Sequence, residues 1–232
     1  MAAAQQDPAR EAPSALFWAS FLWSIVGATF VVFAVFARFY DYFPSDIYIA
    51  HHIQSIDVPA FGGYVNFVNF IGNDVFYIVL TLLVAGAIVL LRAPIEAVLV
   101  LLTIGPRLLN SAAKGAVARP RPSADLVEVA QHDGGYGFPS GHTVGTAALF
   151  GVLFLVLPAV VPSRPLRWLL QLGCLLLIVS AGPARVFVGV HWPSDALGSY
   201  LLALIFLIPA VAAYRMVTRS RTRSQAESRM LD

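Results

Sequence analysis

The sequence predicts an all-α membrane protein built as one six-transmembrane-helix bundle, and its composition and hydropathy pattern support this. Of the 232 residues, 58% are hydrophobic and 12% are charged, and the mean hydropathy of +0.75 is far above that of soluble domains. The length suits one bundle rather than two domains. We expect a disordered leader at residues 1–15, a membrane domain at 16–214 and a basic, disordered cytoplasmic tail at 215–232.

Six apolar runs account for the predicted spans, because each approaches the roughly 20 residues that cross a hydrocarbon core of about 30 Å. The runs are 16–37, 75–91, 94–113, 144–161, 168–183 and 196–214. A signal peptide is the alternative for the first run, since Val35 and Ala37 resemble a cleavage site. This run is longer than the usual h-region of about 7–15 residues, so we interpret it as an uncleaved anchor.

Residues 38–74 break the hydropathy pattern and hold two adjacent histidines, His51 and His52. Within this stretch, 47–56 has the composition of an amphipathic segment lying at the membrane interface. Adjacent residues of a helix point about 100° apart, so the two histidines do not have the spacing of metal ligands. We predict no metal site here.

The distribution of arginine predicts the orientation, because cytoplasmic loops carry an excess of basic residues. Outside the candidate site, one side of the bundle carries Arg10, Arg92, Arg164, Arg167, Arg215, Arg219, Arg221, Arg223 and Arg229. The opposite side carries Arg38, Arg107 and Arg119. We therefore expect both termini in the cytoplasm. The predominance of arginine over lysine suggests a GC-rich genome, and we expect a bacterial plasma (inner) membrane with the candidate loops facing the extracytoplasmic side.

The third loop opens with Lys114 and Arg121, on the side that is otherwise poor in basic residues. A lysine ammonium and a forked guanidinium together provide the converging donors that a phosphate requires. Arg107 and Asn110 share a helical face with Lys114 and are expected to line the same cavity. A basic cluster at the membrane edge without catalytic meaning is the alternative interpretation.

The same loop ends in the sequence Phe138-Pro139-Ser140-Gly141-His142, directly before the fourth span. Ser140 suits the N-cap of that helix, and Gly141 allows an anion to approach the unpaired backbone amides of its first turn. A cap alone would explain Ser140 and Gly141, but it would not require a histidine. His142 is therefore a candidate general acid and base.

The fifth loop carries Arg185, His191 and Asp195 between two apolar runs. Ionisable side chains close to hydrocarbon are costly and usually mark a functional cavity. With phosphate held by the arginines, His191 is the candidate nucleophile. Asp195, four residues later, is placed to orient the imidazole, and Pro193 is suited to start the last helix.

These residues resemble three signatures of the type 2 phosphatidic acid phosphatase superfamily, the lipid phosphate phosphatases. The signatures correspond to Lys114 with Arg121-Pro122, to Pro139-Ser140-Gly141-His142, and to Arg185 with His191 and Asp195. Ala184 departs from the pattern, because the family has a serine there that supports phosphate binding. The resemblance implies six transmembrane helices, a phosphohistidine intermediate and no required metal or other cofactor.

The predicted function is hydrolysis of a lipid mono- or diphosphate. The candidates are a polyprenyl diphosphate such as undecaprenyl diphosphate, phosphatidate and phosphatidylglycerol phosphate. A lipid phosphotransferase would need the same residues and remains an alternative, with a transporter or a haloperoxidase-like oxidoreductase less favoured. Membrane lipids and the substrate are the expected partners, and a net charge of +2 gives no reason to expect nucleic acid. The sequence does not indicate an oligomeric state.

Overall fold

The computed structural model describes residues 14–231, with side chains described for residues 14–220. This part of the chain forms nine helices joined by loops, and the predicted leader lies almost entirely outside it. The helices are α1 (Ala15–Phe39), α2 (Pro44–Gln54), α3 (Phe61–Gly72), α4 (Asp74–Leu90), α5 (Pro94–Leu102), α6 (Ile104–Val117), α7 (Gly141–Val160), α8 (Arg164–Phe187) and α9 (Pro193–Leu231).

The predicted all-α bundle of up to six membrane spans is confirmed. Five segments are long and apolar enough to cross a membrane: α1, α5 with α6, α7, α8, and α9 as far as Ser220. The sixth consists of α3 and α4, which pass the same test together but are bent by 69° at Asn73. The predicted second span, 75–91, corresponds to α4 alone, and α3 precedes it across this bend.

Helix α3 was not predicted, because its sequence mixes glycine and asparagine with apolar residues. At 12 residues it is also too short to span a bilayer alone. Its apolar face is nevertheless buried, since Val65 and Val68 pack against Ala184 and Val188. Tertiary packing therefore stabilises a helix that hydropathy alone does not reveal.

Several helices extend beyond the predicted runs, and these extensions carry polar residues of the candidate site. Helix α6 continues to Val117, α7 begins at Gly141, and α8 continues to Phe187. Hydropathy detects only the part of a helix that lies in hydrocarbon, whereas the helical backbone continues into polar sequence. For the same reason α9 remains helical through Leu231, so the expectation of a disordered tail is wrong for residues 215–231.

Helix α7 lies at the centre of the bundle and packs against α3, α4, α5, α6, α8 and α9. Its Leu149, Val152 and Val156 are fully buried in the main apolar cluster, together with Val100 of α5. By contrast, α1 packs mainly against α9 and exposes large apolar side chains along its length. Such an exposed apolar belt suits contact with lipid hydrocarbon.

The loop between α6 and α7 covers one end of the bundle and is attached to the loop between α8 and α9. The amides of Ala130 and Gln131 both donate to the carbonyl oxygen of Val188, at 3.1 and 3.2 Å. The side chain of Gln54 in α2 also donates to the carbonyl of Glu128, at 2.7 Å. These contacts bring together the loops that carry the candidate site.

Candidate active site

A polar pocket of about 500 Å³ opens at this end of the bundle, where α6 ends and α7 begins. Its lining combines cationic side chains, two motif histidines and a short glycine-containing segment of the α6–α7 loop. The lining residues include Arg107, Asn110, Lys114, Arg121, Asp133, Gly134, Gly135, Gly141, His142 and His191. Three separate stretches of sequence therefore meet in one cavity.

His191 lies at the wall of this pocket with its two ring nitrogens facing opposite charges. Its Nε2 is 3.2 Å from Nη1 of Arg121, and its Nδ1 is 3.4 Å from Oδ2 of Asp195. The distance from Nδ1 to Asp195 lies within ion-pair range. Among the residues that the structure describes, however, Nδ1 has no partner with hydrogen-bond geometry. This arrangement favours the tautomer with the proton on Nδ1, which leaves the Nε2 lone pair on the pocket side.

The environment of His191 disfavours the imidazolium form. The side chain is buried, and this desolvation lowers the pKa of His191 well below its usual value of 6.5, with Lys114, Arg121 and Arg185 adding cationic repulsion. A histidine kept neutral at neutral pH retains the lone pair that a nucleophile needs.

Asp195 is held by a buried network that begins with Arg119. Nη1 of Arg119 donates to Oδ1 of Asp195 at 2.6 Å, and Nη2 donates to Oδ2 of Asp46 at 3.0 Å. The three side chains are at most 1% exposed. The amide of Trp192 donates to Oδ2 of Asp195 at 2.9 Å, so the carboxylate also caps the start of α9 at the predicted Pro193.

Ser194 completes this network between α2 and α9. Its amide donates to Oδ1 of Asp46 at 2.9 Å, and its hydroxyl donates to Oδ2 of the same residue at 2.7 Å. Asp46 therefore accepts from both Arg119 and Ser194, which satisfies a carboxylate that would otherwise be costly to bury. The network fixes the backbone directly after His191.

Of the three cationic residues predicted to bind phosphate, Lys114 and Arg121 line the pocket, whereas Arg185 is buried and outside its lining. Each of the three already donates to an acceptor. Lys114, in the last turn of α6, donates to the carbonyl of Tyr136 at 2.6 Å. Arg121 donates to the carbonyls of Gly134 and Gly135 at 3.0 and 3.1 Å. Arg185, in the last turn of α8, forms an ion pair with Asp133.

Ser140 is the N-cap of α7, as predicted, since its hydroxyl accepts from the amide of Thr143 at 3.4 Å. Its own amide donates to the hydroxyl of Ser199 at 2.7 Å, and Ser140 is fully buried. The Ser140 amide is therefore directed into the protein in this structure, contrary to the expected role in holding an anion. Gly141 and His142, which line the pocket, remain the candidates for that role at the start of α7.

Arg107 and Asn110 line the pocket together with Lys114, as their helical spacing predicts. Arg107 donates to the carbonyl of Gly72 at 2.8 Å and forms an ion pair with Asp74 at the exposed rim of the pocket. It therefore connects α6 to the bend between α3 and α4.

Ala184 occupies the position where the lipid phosphate phosphatases have serine. Its surroundings are apolar. It is 3% exposed and belongs to a cluster with Val65, Val68, Val188 and Val190. A methyl group therefore fits this site without leaving a polar atom unpaired.

The two histidines of α2 lie outside the pocket lining and contact backbone carbonyls. His51 Nε2 is 2.9 Å from the carbonyl oxygen of Leu126, and His52 Nδ1 is 3.0 Å from that of Tyr48. The structure thus gives these side chains local contacts with the backbone.

Sequence reasoning did not identify the roles of Arg119, Asp46 and Asp133. The spacing of Arg119 and Arg121 gave no sign of their different roles. In a straight extended segment, residues two apart point to the same side, so the two arginines would be expected to lie together. In the structure Arg119 is buried in the core, whereas Arg121 lines the pocket. Nothing in the local sequence distinguishes Asp133 or Asp46 from a solvent-exposed carboxylate.

A cavity with this lining is suited to phosphoryl transfer. Lysine and arginine side chains can neutralise the non-bridging oxygens, one imidazole can attack phosphorus, and the other can exchange a proton with the leaving oxygen. A larger cavity of about 650 Å³ between α1 and α9 has a mostly apolar lining and lacks this combination of groups.

Comparison with known proteins agrees with the fold. Residues 95–220, more than half of the chain, match the PAP2 superfamily. The chain is 31% identical over 144 residues to phosphatidylglycerophosphatase B of Bacillus subtilis (strain 168), covering 60% of this chain and 68% of that protein.

The fold is similar to the crystal structure of a transmembrane PAP2-type phosphatidylglycerolphosphate phosphatase from Bacillus subtilis. The TM-score is 0.72 at 22% sequence identity, and the match covers 84% of this chain and 96% of the other. At this identity the likeness concerns the fold alone. The family match and the identity to the curated relative show that the chain belongs to the PAP2 superfamily, as a multi-pass membrane phosphatase.

Proposed function

We propose that this protein removes the terminal phosphate from a phosphorylated membrane lipid through a phosphohistidine intermediate on His191. One observation carries the proposal: the imidazole of His191 lies between Arg121, 3.2 Å from Nε2, and Asp195, 3.4 Å from Nδ1. An imidazole oriented by a carboxylate, with its free nitrogen beside a phosphate-binding cation, has the geometry of an activated nucleophile.

In the first step the Nε2 lone pair of His191 attacks phosphorus, and the bond from phosphorus to the lipid oxygen breaks. His142 donates a proton to that oxygen, so the leaving oxygen departs from phosphorus as a hydroxyl group. Lys114, Arg121 and Arg185 neutralise the charge on the non-bridging oxygens during the attack. The product of this step is phosphohistidine.

In the second step His142, now unprotonated, takes a proton from water as the water oxygen attacks phosphorus. The nitrogen–phosphorus bond breaks and its electron pair returns to Nε2, which regenerates His191 and releases inorganic phosphate. In both steps the role of Asp195 is to stabilise the positive charge that develops on the ring at Nδ1.

Phosphatidylglycerol phosphate is the substrate we favour, because the similarity to phosphatidylglycerophosphatase B covers 60% of this chain and 68% of that protein. The pocket lies at one end of the bundle, where a lipid headgroup can enter while its acyl chains stay in hydrocarbon. Phosphatidate and polyprenyl diphosphate have the same amphiphilic form and are the competing substrates.

We further propose that the pocket faces the extracytoplasmic side of the plasma membrane. Arg92, Arg164 and Arg167 lie in or next to the loops at the opposite end of the bundle, and Arg215 and Arg219 follow in α9. Basic residues of this kind mark the cytoplasmic side.

The orientation is tested by labelling single cysteines at Ser55 and Ser163 in a Cys174→Ala background with a membrane-impermeant reagent. Labelling of Ser55→Cys alone in intact cells is expected, and the reverse would contradict the orientation.

The experiment that tests the activity is phosphate release by the purified protein from the three candidate lipids in the presence of a chelator. His191→Ala is expected to abolish release, and His142→Ala is expected to reduce it severely. His52→Ala is the matched control, because His52 lies on α2 with its ring nitrogen on a backbone carbonyl. Full activity of His191→Ala would overturn the proposed nucleophile.

A phosphoryl label provides a separate test of the intermediate. Substrate carrying a radioactive terminal phosphate should leave an acid-labile, base-stable label on the protein after rapid quenching. The label should be absent in His191→Ala and present in His52→Ala. Hydrolysis without any label on the wild-type protein would favour direct attack by water.

A further inference from the structure

Two arginines of the candidate site share one carboxylate: Arg121 and Asp133 line the pocket, and Arg185 is buried next to Asp133. Oδ2 of Asp133 accepts a hydrogen bond from Nη2 of Arg185, and the same oxygen lies 3.7 Å from Nη1 of Arg121. Both guanidiniums belong to the set proposed to hold the substrate phosphate. An anionic oxygen of the protein therefore occupies the position between them.

Asp133 differs from the other buried acids of the site in its exposure. Its side chain is 33% exposed, whereas those of Asp195 and Asp46 are at most 1% exposed in their pairs with Arg119. A fully buried ion pair with several additional hydrogen bonds is a fixed part of the fold. A carboxylate at a wet pocket wall can exchange its partners for water or for another anion at low cost.

The segment that carries Asp133 is built to contact the same arginine by its backbone. The carbonyls of Gly134 and Gly135 accept from Nη2 and Nε of Arg121, and Gly135 has a φ of +71° that glycine adopts without strain. Arg121 is thus surrounded by acceptors from three successive residues. Phosphate oxygens would have to replace at least some of these contacts.

We infer that Asp133 is the resident anion of the phosphate site: it pairs with Arg185 and Arg121 until phosphate binds, and phosphate then displaces it. This inference rests on the proposed function of the pocket. Carboxylate and phosphate oxygens accept from the same guanidinium N–H groups, so they compete for one position. Phosphate can bind only while Asp133 is away from the arginines. The apparent affinity for phosphate is therefore reduced in proportion to the time that Asp133 occupies the site.

The competition has a consequence for turnover. Inorganic phosphate is the second product, and it must leave a pocket lined by three cationic side chains. When Asp133 returns to Arg185 and Arg121, it replaces the departing phosphate and keeps the cations paired. The same exchange weakens the binding of substrate, so Asp133 sets a balance between capture of the substrate phosphate and release of the product.

A different role for Asp133 predicts the opposite result. If Asp133 only braced Arg185 in its binding orientation, removing the carboxylate would leave the guanidinium misplaced and phosphate would bind less tightly. If Asp133 competes with phosphate, removing its charge strengthens phosphate binding. The sign of the change therefore separates the two roles.

The test measures direct binding of inorganic phosphate to the detergent-purified protein. The method is isothermal titration calorimetry at fixed ionic strength. Asp133→Asn is expected to bind phosphate about three- to tenfold more tightly than wild type, as expected when a competing charge-assisted contact is removed. Asp125→Asn is the matched control, because it removes the same charge from an exposed residue of the same loop. This control should bind phosphate as wild type does.

Unchanged or weaker binding by Asp133→Asn would overturn the inference, as would an equal gain in Asp125→Asn. Asp133→Ser provides a second neutral variant if Asp133→Asn does not fold, and the same gain is expected. This binding test uses no lipid. If Asp133→Asn binds phosphate more tightly but the protein hydrolyses no lipid, the inference about Asp133 stands and only the proposed function fails. Absence of phosphate binding in wild type and in both Asp133 variants would overturn both.

Discussion

The carboxylate of Asp195 divides its two oxygens between Arg119 and His191. Oδ1 accepts from Nη1 of Arg119 at 2.6 Å, and Oδ2 faces Nδ1 of the imidazole at 3.4 Å. The guanidinium fixes the position of the carboxylate, and the carboxylate in turn is placed to orient the ring. Arg119 therefore acts on the proposed nucleophile through one intermediate side chain.

Replacing Asp195 by asparagine should lower kcat far more than it changes KM. Asparagine keeps the shape of the side chain but removes the charge that stabilises the ring during attack, and the loss is expected to be about 10²- to 10⁴-fold in kcat, as for orienting carboxylates elsewhere. Asp46→Asn is the matched control, because it also removes a partner of Arg119 but does not contact His191. Steady-state kinetics on both variants makes the comparison, and an unchanged kcat in Asp195→Asn would contradict the orienting role.

Arg119→Met should strongly destabilise the protein. It leaves Asp46 and Asp195 buried without their cation, and breaking a buried pair in this way costs about 3–5 kcal/mol. Equilibrium unfolding in mixed detergent micelles measures the loss. Arg38→Met, which removes an exposed arginine on the same side of the bundle, should change stability by about 0.5 kcal/mol or less. Equal stability of the two variants would show that the network is not a major part of the fold.

The low pKa of His191 predicts how stability depends on pH. Burial and the neighbouring cations lower this pKa below its usual value of 6.5, so on acidification the unfolded state takes up a proton before the folded state does. Stability is unaffected by this group above about pH 6.5 and is lost as the pH falls below it, with a slope of at most about 1.4 kcal/mol per pH unit. Thermal unfolding of wild type and His191→Asn from pH 7.5 to 5 should show a shallower decline in the variant. Parallel curves would contradict the lowered pKa.

The sequence was sufficient to predict the membrane spans, because hydrocarbon imposes length and composition on any segment that crosses it. It was not sufficient for α3, whose burial depends on Val65 and Val68 meeting α8. The bend at Asn73 is also hidden from hydropathy, since Asn73 caps α4 by accepting from the amides of Val75 and Phe76, at 3.1 and 3.4 Å. Predicted helix ends were short wherever polar residues continued the helix.

For the site, the sequence pointed to the side chains that the proposed chemistry requires, such as His142 and His191. Reactive groups at fixed spacing are recognisable without a structure. The supporting residues were missed because their roles depend on contacts between distant segments. Asp46 and Ser194 are 148 positions apart, and no local pattern in the sequence joins them.

Gly189→Ala should damage both stability and catalysis. Gly189 has a φ of +75°, and a Cβ added there would lie 1.9 Å from the carbonyl oxygen of Glu128. The left-handed conformation costs an alanine about 1–3 kcal/mol, and the backbone contact forces the two loops apart in addition. Because His191 follows two residues later, a displacement of about 1 Å at the ring is expected to lower kcat about 10²-fold.

Gly173→Ala is the matched control, because Gly173 lies within α8 and an added Cβ there meets nothing within 4 Å. In a helix interior the change from glycine to alanine should stabilise the protein by about 0.5–1 kcal/mol and leave kcat unchanged. Thermal unfolding and lipid phosphate hydrolysis on both variants test the pair. If Gly189→Ala were as stable and as active as Gly173→Ala, the close contact between the loops at Gly189 and Glu128 would not be what positions His191.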